Sequence, residues 1–253
     1  MRIAILNITL IILPLVLSNA QNIEFVGSYD TPGRAWDVYV MDYYAYVAND
    51  EYGLQIINIS EPANPSLTGD YNTPGHSLDV MVMGSYAYIA DGSTGLYIVN
   101  ISDKSNPILS GAYNTPGTAW GVFISGNYAY IADYSFGLQI INVSNREHPT
   151  LVGSLDTPAF AHGVYYSGGY AYVADEFSGM QIIRVSDPSE PVLMGSYDSP
   201  GYAFDVFVIG NYAYLADWFR GVSIINISNR NDPFLAGRYE AENTAYSVFA
   251  SFP

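Results

Sequence analysis

The apolar and polar positions between Thr31 and Asn72 fall into four short extended runs. Ala35 to Val40 is a brief apolar stretch, and Tyr44 to Ala48 alternates Tyr, Ala, Tyr, Val, Ala. Gly53 to Ile59 reads Gly-Leu-Gln-Ile-Ile-Asn-Ile, and Ser66 to Tyr71 is the fourth run. These runs are rich in β-branched and aromatic residues and are bounded by Gly, Pro, Asn or Asp, which predicts strands. None has the length or the 3.6-residue period of a helix. The same pattern recurs five times without insertion or deletion, over residues 31–72, 73–114, 115–156, 157–198 and 199–240. Four strands in a unit of about forty residues make the blade of a β-propeller. The expected fold is therefore all-β, a β-propeller of four-stranded antiparallel blades, forming one domain over residues 21–253.

The turns carry their own signals. Thr-Pro-Gly opens the units at Thr31, Thr73 and Thr115, with Thr157-Pro158-Ala159 and Ser199-Pro200-Gly201 in the same place. Pro32-Gly33 predicts a type II turn with glycine at positive φ. Gly84-Ser85, Gly126-Asn127, Gly168-Gly169 and Gly210-Asn211 predict tight hairpins between strands one and two. Asp91, Asp133, Asp175 and Asp217 follow strand two, where an aspartate can accept from the turn's own backbone N–H groups.

The third strand and its tail carry a resemblance. Leu54 to Ser60 reads Leu-Gln-Ile-Ile-Asn-Ile-Ser. Leu96 to Ser102, Leu138 to Ser144, Met180 to Ser186 and Val222 to Ser228 repeat it with variations, and Asp187-Pro188-Ser189-Glu190-Pro191 follows the fourth copy. This run resembles the LVIVD repeat in all five units. It departs at the last letter, where Asn58, Asn100, Asn142, Arg184 and Asn226 stand in place of the family's Asp. The resemblance implies a β-propeller of a bacterial or archaeal secreted or cell-surface protein, and it brings no general catalytic motif.

Composition narrows the setting. An apolar run from Ile3 to Leu17 after Met1-Arg2 ends in Ser18-Asn19-Ala20, which reads as a signal peptide over residues 1–20 cleaved before Gln21. No later segment is long and apolar enough for a membrane-spanning helix. Secretion, surface display or a periplasmic location is the expectation. The chain has no cysteine, so stability must come from the core. With 24 Asp and Glu against 8 Lys and Arg, nucleic acid and anionic membranes are poor partners.

Candidate chemistry gathers in two loop sets that propeller topology places on one face. These loops join strand four to the next strand one, and strand two to strand three. Trp36, Trp120 and Trp218 all fall there, as do His76 and His162. The slot of Trp36 holds Leu78, Trp120, His162, Phe204 and Tyr246 in the other units, and Tyr52, Phe136, Phe177 and Phe219 join from the second loop set. Aromatics on loops around a funnel suit a binding surface. They equally suit a plug that packs the top of the channel. Asp37, Asp79 and Asp205 share a slot on the innermost strand. They could bond a neighbouring blade's backbone, bind a cation or act as an acid–base pair. Asn58, Asn100, Asn142 and Asn226 head glycosylation sequons that recur with the strand itself.

The leading reading is a non-catalytic module that binds a protein or glycan through Trp36, His76, Trp120, His162, Phe204 and Trp218, with no cofactor and no metal. The alternative is an exported hydrolase or lyase using His76 or His162 with Asp37, Asp79 or Asp205 in the funnel. Convergence of His162 and two carboxylates in one pocket would favour that alternative. Residues 22–30 and 241–253 look like the outer and inner strands of a partial sixth unit. An incomplete ring, truncated or in need of a partner and so prone to self-association, is expected over a five-bladed monomer.

Overall fold

The computed structural model describes residues 25–250, so the expected signal peptide and the last residues of the chain lie outside it. Blade one consists of β1 (Asp37–Met41), β2 (Tyr44–Ala48), β3 (Leu54–Asn58) and β4 (Ser66–Tyr71). Blade two is β5 (Asp79–Met83), β6 (Tyr86–Ala90), β7 (Leu96–Asn100) and β8 (Ile108–Tyr113). Blade three is β9 (Gly121–Ser125), β10 (Tyr128–Ala132), β11 (Leu138–Asn142) and β12 (Thr150–Leu155). Blade four is β13 (Gly163–Ser167), β14 (Tyr170–Ala174), β15 (Met180–Arg184) and β16 (Val192–Tyr197). Blade five is β17 (Asp205–Ile209), β18 (Tyr212–Ala216), β19 (Val222–Asn226) and β20 (Phe234–Tyr239). Every blade is an antiparallel meander in chain order, with the five repeats mapping one to one onto five sheets.

The hairpins between the first two strands take the left-handed backbone that glycine allows: Gly84, Gly126, Gly168 and Gly210 lie at φ of 57° to 62°. Blade one manages the same turn with Asp42 at φ 56°. Each third-to-fourth strand ladder slips by one residue, as between Ile56 and Ile57, so Gly69 and its counterparts follow a bulge. That bulge lets the fourth strand meet the next blade. A Cβ on Gly69 would sit 2.3 Å from Lys104 O, on Gly111 2.2 Å from Arg146 O, on Gly153 2.2 Å from Pro188 O and on Gly195 2.3 Å from Arg230 O.

The core lies between blades rather than within any one of them. Tyr46, Leu54 and Ile56 of blade one pack on Val80, Val82, Ile89, Val99 and Ile101 of blade two, and the pattern repeats down the chain. Basic residues close the outer edges of these seams. Arg146 donates Nε–H to the Tyr88 hydroxyl at 3.0 Å and lies 4.4 Å above the Tyr86 ring. Arg230 does the same for Tyr172 at 3.0 Å and Tyr170 at 4.5 Å, and Lys104 lies 5.0 Å above Tyr44.

Two sequence expectations need correction. Gly33, Gly75, Gly117 and Gly201 do not have positive φ, so Thr-Pro-Gly is not a type II turn. Glycine is favoured there by close approach: a Cβ on Gly117 would meet Asp133 O at 2.3 Å. The recurrent aspartates also reach further than their own turn. Asp133 accepts from the Thr115 hydroxyl at 2.6 Å and the Gly117 N–H at 2.9 Å, so it clamps the Thr-Pro-Gly segment. Asp91, Asp175 and Asp217 each accept from the corresponding Thr73, Thr157 or Ser199 hydroxyl at 2.5 to 2.7 Å. All four aspartates are fully buried. In blade four Ala159 replaces the glycine, and its N–H reaches Asp175 at 3.1 Å.

The two extra segments dock but form no strand ladders. Gly27 stands against Pro62 O and Ala63 O, as Gly69 stands against Lys104 and Ser105, so residues 25–30 occupy the fourth-strand place of a blade before the first. At the other end Val248 donates its N–H to Asp205 Oδ2 at 2.9 Å, as Val80 does to Asp37 and Val122 to Asp79. The strands that would pair with these two segments are absent among the described residues. Inner strands of consecutive blades pack side by side, and no packing of that extent joins β17 to β1.

Candidate functional site

Two devices build the loop face. The residue after the clamp position turns through left-handed backbone in every blade: Asp50 (φ 50°), Gly92 (59°), Tyr134 (50°), Glu176 (37°) and Trp218 (40°). Each forms a bridge to the next repeat, pairing with Ser77, Ala119, Ala161, Ala203 and Ala245 in turn. A non-glycine residue in this region costs on the order of 1–3 kcal/mol, and such strain clusters where a side chain has work to do. Glycine would avoid the cost, as Gly92 does, yet the other four blades carry Asp50, Tyr134, Glu176 and Trp218 there. The second device is the slot before each inner strand, tied back by its N–H, as in Trp36 to Ala48 O at 2.9 Å and His162 to Ala174 O at 2.9 Å.

Together these positions make a nearly continuous array of rings. Trp36 meets Trp120 edge-on at 5.8 Å, Trp120 meets His162 at 4.9 Å, His162 meets Phe204 at 4.8 Å and Phe204 meets Tyr246 at 5.2 Å. A second arc lies outside it: Tyr134 stacks on Phe160 at 4.3 Å, Phe177 meets Tyr202 at 4.7 Å, and Tyr202 meets Trp218 at 4.7 Å. Trp218 joins the arcs through Phe204 at 5.7 Å. Trp36, Tyr246, Phe177 and Phe219 remain exposed while their neighbours pack. The rings thus brace one another and still offer a surface.

Five of the six residues read from the sequence as ligand-binding share this network: Trp36, Trp120, His162, Phe204 and Trp218. His76 stands apart, exposed, with Nδ1 at 2.6 Å from Asp50 Oδ1. Tyr134, Phe160 and Tyr202 escaped the sequence reading. The strained slot that carries Tyr134 and Trp218 was visible only as a position that changes from unit to unit beside an invariant Ala-Tyr-x-Ala. The four sequon asparagines end third strands, each accepting the N–H two residues on at 2.8 to 2.9 Å.

A cavity of about 150 Å³ opens at the centre of the face, lined by the ring slot and the first inner-strand residue of all five blades, and by Tyr246 and Ser247. A second depression of about 260 Å³ lies at the rim between Pro200–Tyr202 and Phe219–Arg220. It gathers a single charged side chain, so the central funnel is the better-built site. Asp37, Asp79 and Asp205 all line the funnel, and each accepts a backbone N–H from the next inner segment, at 3.2, 2.6 and 2.9 Å. Burial raises Asp37. Burial and the adjoining Asp37 together hold Asp79 well above the usual carboxylate range, so this pair favours keeping a proton. Burial pushes Asp205 up to about 6.

His162 is 8 % exposed, and neither ring nitrogen has a hydrogen-bond partner. Burial among the rings brings it down to about 4, so it is neutral at pH 7. The closest acid is Glu176, 3.5 Å from Nε2. Among the described residues no three His, Asp or Glu side chains converge as metal ligands, and no helix is long and apolar enough to cross a membrane.

The LVIVD repeat matches residues 32–73, 74–115, 116–157, 160–199 and 200–241. This chain belongs to the LVIVD repeat family. No curated protein matches it. Among solved structures it is similar to a computationally designed protein, Ika8, with a TM-score of 0.67 and 6 % identity over 85 % of this chain and 64 % of that one. It is also similar to a functionally unknown protein from Desulfotomaculum acetoxidans, with a TM-score of 0.67 and 14 % identity over 84 % of this chain and 72 % of that one. The chain thus spans under two thirds of the designed protein's length. At these identities the likeness concerns the fold alone.

Proposed function

We propose that this LVIVD-repeat protein is an exported, non-catalytic binding module that holds a protein or glycan on its aromatic loop face. The observation that carries this reading is the ring network joining Trp36, Trp120, His162, Phe204 and Trp218, parts of which stay open to solvent. Rigid, mutually braced aromatics give large contact area with little ordering cost on binding. The acidic surface directs the choice of partner away from nucleic acid. Binding of the purified protein to an array of cell-envelope glycans and secreted proteins tests it, with Trp36→Ala, Trp120→Ala and Trp218→Ala alongside. Loss of about 2 kcal/mol or more from at least one change is expected. Undiminished binding by three folded variants would move the surface elsewhere.

One observation supports the enzymatic alternative: His162 lines the same cavity as Asp37, Asp79 and Asp205. Against it, His162 makes no hydrogen bond to any carboxylate, whereas a general base and its orienting acid stand within about 3.2 Å. A screen for hydrolysis or elimination on envelope polysaccharides, with Asp79→Asn as the control, separates the two readings.

A further inference from the structure

The rim depression between Pro200–Tyr202 and Phe219–Arg220 lies where two other blades place a ring of their own. The residue before the loop glycine changes from blade to blade: Tyr52, Thr94, Phe136, Ser178 and Arg220. Tyr52 and Phe136 lay a ring edge on the Pro-Gly segment of their own blade, with Cδ2 at 2.8 Å from a Cβ placed on Gly33 and 2.9 Å from one placed on Gly117. In blade five the three atoms nearest a Cβ on Gly201 all belong to Asp217, and about 260 Å³ stands open instead. The walls of this space are aromatic and braced. Phe219 stacks on Trp218 at 4.0 Å and Tyr202 meets Trp218 at 4.7 Å, yet Phe219 stays 66 % exposed. Asp217 beneath Gly201 is already engaged by the Ser199 and Ser223 hydroxyls at 2.7 and 3.1 Å. Arg220 is the one charged side chain lining the opening. Elsewhere in this chain basic side chains find rings: Arg34 lies 4.8 Å from the centre of Trp36, Arg146 4.4 Å from Tyr86 and Arg230 4.5 Å from Tyr170. Among the described residues Arg220 has neither a ring nor a carboxylate as partner.

We propose that this depression is a socket for one aromatic side chain of a protein partner, phenylalanine or tyrosine, its ring lying on Pro200-Gly201 between Tyr202 and Phe219 with the Arg220 guanidinium against its face. The chain's own Tyr52 and Phe136 show what fits such a place. Burying a phenyl ring there removes apolar area from water and adds edge or offset ring contacts. The guanidinium adds attraction for the ring's face. A sugar would find few partners for its hydroxyls, since Arg220 and the Tyr202 hydroxyl are the polar side-chain groups of the lining. This inference rests on the binding role of the loop face and names a protein side chain as what its rim grips.

Saturation-transfer NMR near neutral pH tests it, with N-acetylphenylalanine amide and N-acetyltyrosine amide as probes, N-acetylleucine amide as the ring-free analogue and methyl glucoside as the sugar. Saturable binding of at least one aromatic amide is expected, with the leucine amide and the glucoside at least about 10-fold weaker. Arg220→Phe gives blade five the ring that blade three carries at Phe136. It should abolish binding of the probes while leaving Tm at or above the wild-type value. Arg220→Gln leaves the socket open without its charge and should weaken binding about 3-fold. No saturable binding of either aromatic amide, equally tight binding of the leucine amide or the glucoside, or wild-type affinity in Arg220→Phe overturns the proposal. Should Arg220→Phe not fold, wild-type affinity in Arg220→Gln overturns it instead. If envelope proteins or glycans still bind the face and depend on Trp36 and Trp120 after such a result, only the socket inference falls. If neither behaviour is seen, the binding reading falls with it.

Discussion

The seams between blades and the two faces at the ends of the blade array use the same residues to different effect. In the seams, Val82, Ile124 and Val208 are at most 5 % exposed, whereas Val40 in the same slot of blade one is 57 % exposed. Tyr46, Tyr88, Tyr130 and Tyr172 are buried at the second strand, while Tyr214 of blade five is only partly covered, and Tyr212 beside it is 42 % exposed. Gly69, Gly111, Gly153 and Gly195 touch the following blade's backbone, but Gly237 has nothing within 4 Å of where a Cβ would stand. Identical sequence therefore does not carry identical structural duty. A blade's apolar face and its fourth-strand glycine matter because a neighbour arrives there, as expected when stability is a sum over nearest-neighbour contacts.

Alanine substitution at the glycines gives the largest test of this difference. Gly153→Ala places a methyl 2.2 Å from Pro188 O, a backbone atom that cannot turn aside. A loss of about 3 kcal/mol or more is expected, seen as a large drop in Tm or an insoluble product. Gly237→Ala should be neutral or slightly stabilising, because open space surrounds it and the unfolded chain loses freedom. Equal losses at both positions would mean that the trailing face is covered in solution. Sedimentation would then reveal whether a second copy covers it.

The clamp aspartates provide the second test, and here blade one is again the exception. Asp133 buries its carboxylate against Thr115 and Gly117, whereas Asn49 holds the same place in blade one with both side-chain polar atoms buried and unpartnered. Thr31 turns its hydroxyl to Gly33 O instead, at 3.3 Å. Asp133→Ala strands a hydroxyl and an N–H, for a loss of about 2–3 kcal/mol by denaturant melt. Asn49→Asp replaces the stranded Nδ2 donor with a second acceptor oxygen, like the pair Asp133 offers to Thr115 and Gly117, and should change stability by under about 1 kcal/mol, in the favourable direction. Clear destabilisation by Asn49→Asp would show that blade one is held differently from the rest.

These comparisons show where the sequence was legible. A strict period and strand-like runs were enough for the blades, because register in each sheet follows from side chains that alternate between two buried faces. The aromatic face was also readable, since topology alone sends two loop sets to one side. The clamp was not, because Thr115 and Asp133 lie eighteen residues apart and only the folded blade brings them together. Nor was the strain at Tyr134 and Trp218, for nothing in an isolated tyrosine or tryptophan announces positive φ. Pro-Gly alone suggests type II geometry, but the glycine answers to a carbonyl of the strand-two to strand-three loop instead. His76 and His162 both fall in the same loop set, yet one meets the half-buried Asp50 and the other packs into the ring network.

The smallest effect concerns the seam between blade five and the terminal segment, where Asp205 accepts from Ser247 Oγ at 2.8 Å and Val248 N at 2.9 Å. Burial raises Asp205 to about 6, against about 3.9 in an unfolded chain. Between those values the folded protein holds a proton that the unfolded chain has released. The stability this contributes is fully present below the unfolded value and is lost as pH rises through about 6. The shift sets an upper bound of about 3 kcal/mol, and water at the funnel cuts it to about 1. Tm is therefore expected to be a few degrees higher at pH 5 than at pH 7.5. Relief of repulsion among the surplus acids acts in the same direction, so the decisive quantity is the difference made by Asp205→Asn. That variant keeps an acceptor for Val248 but cannot titrate, and its Tm should depend less on pH than the wild type's. A slope unchanged by Asp205→Asn would mean that the terminal segment leaves Asp205 solvated in solution, and that the seam after blade five is open.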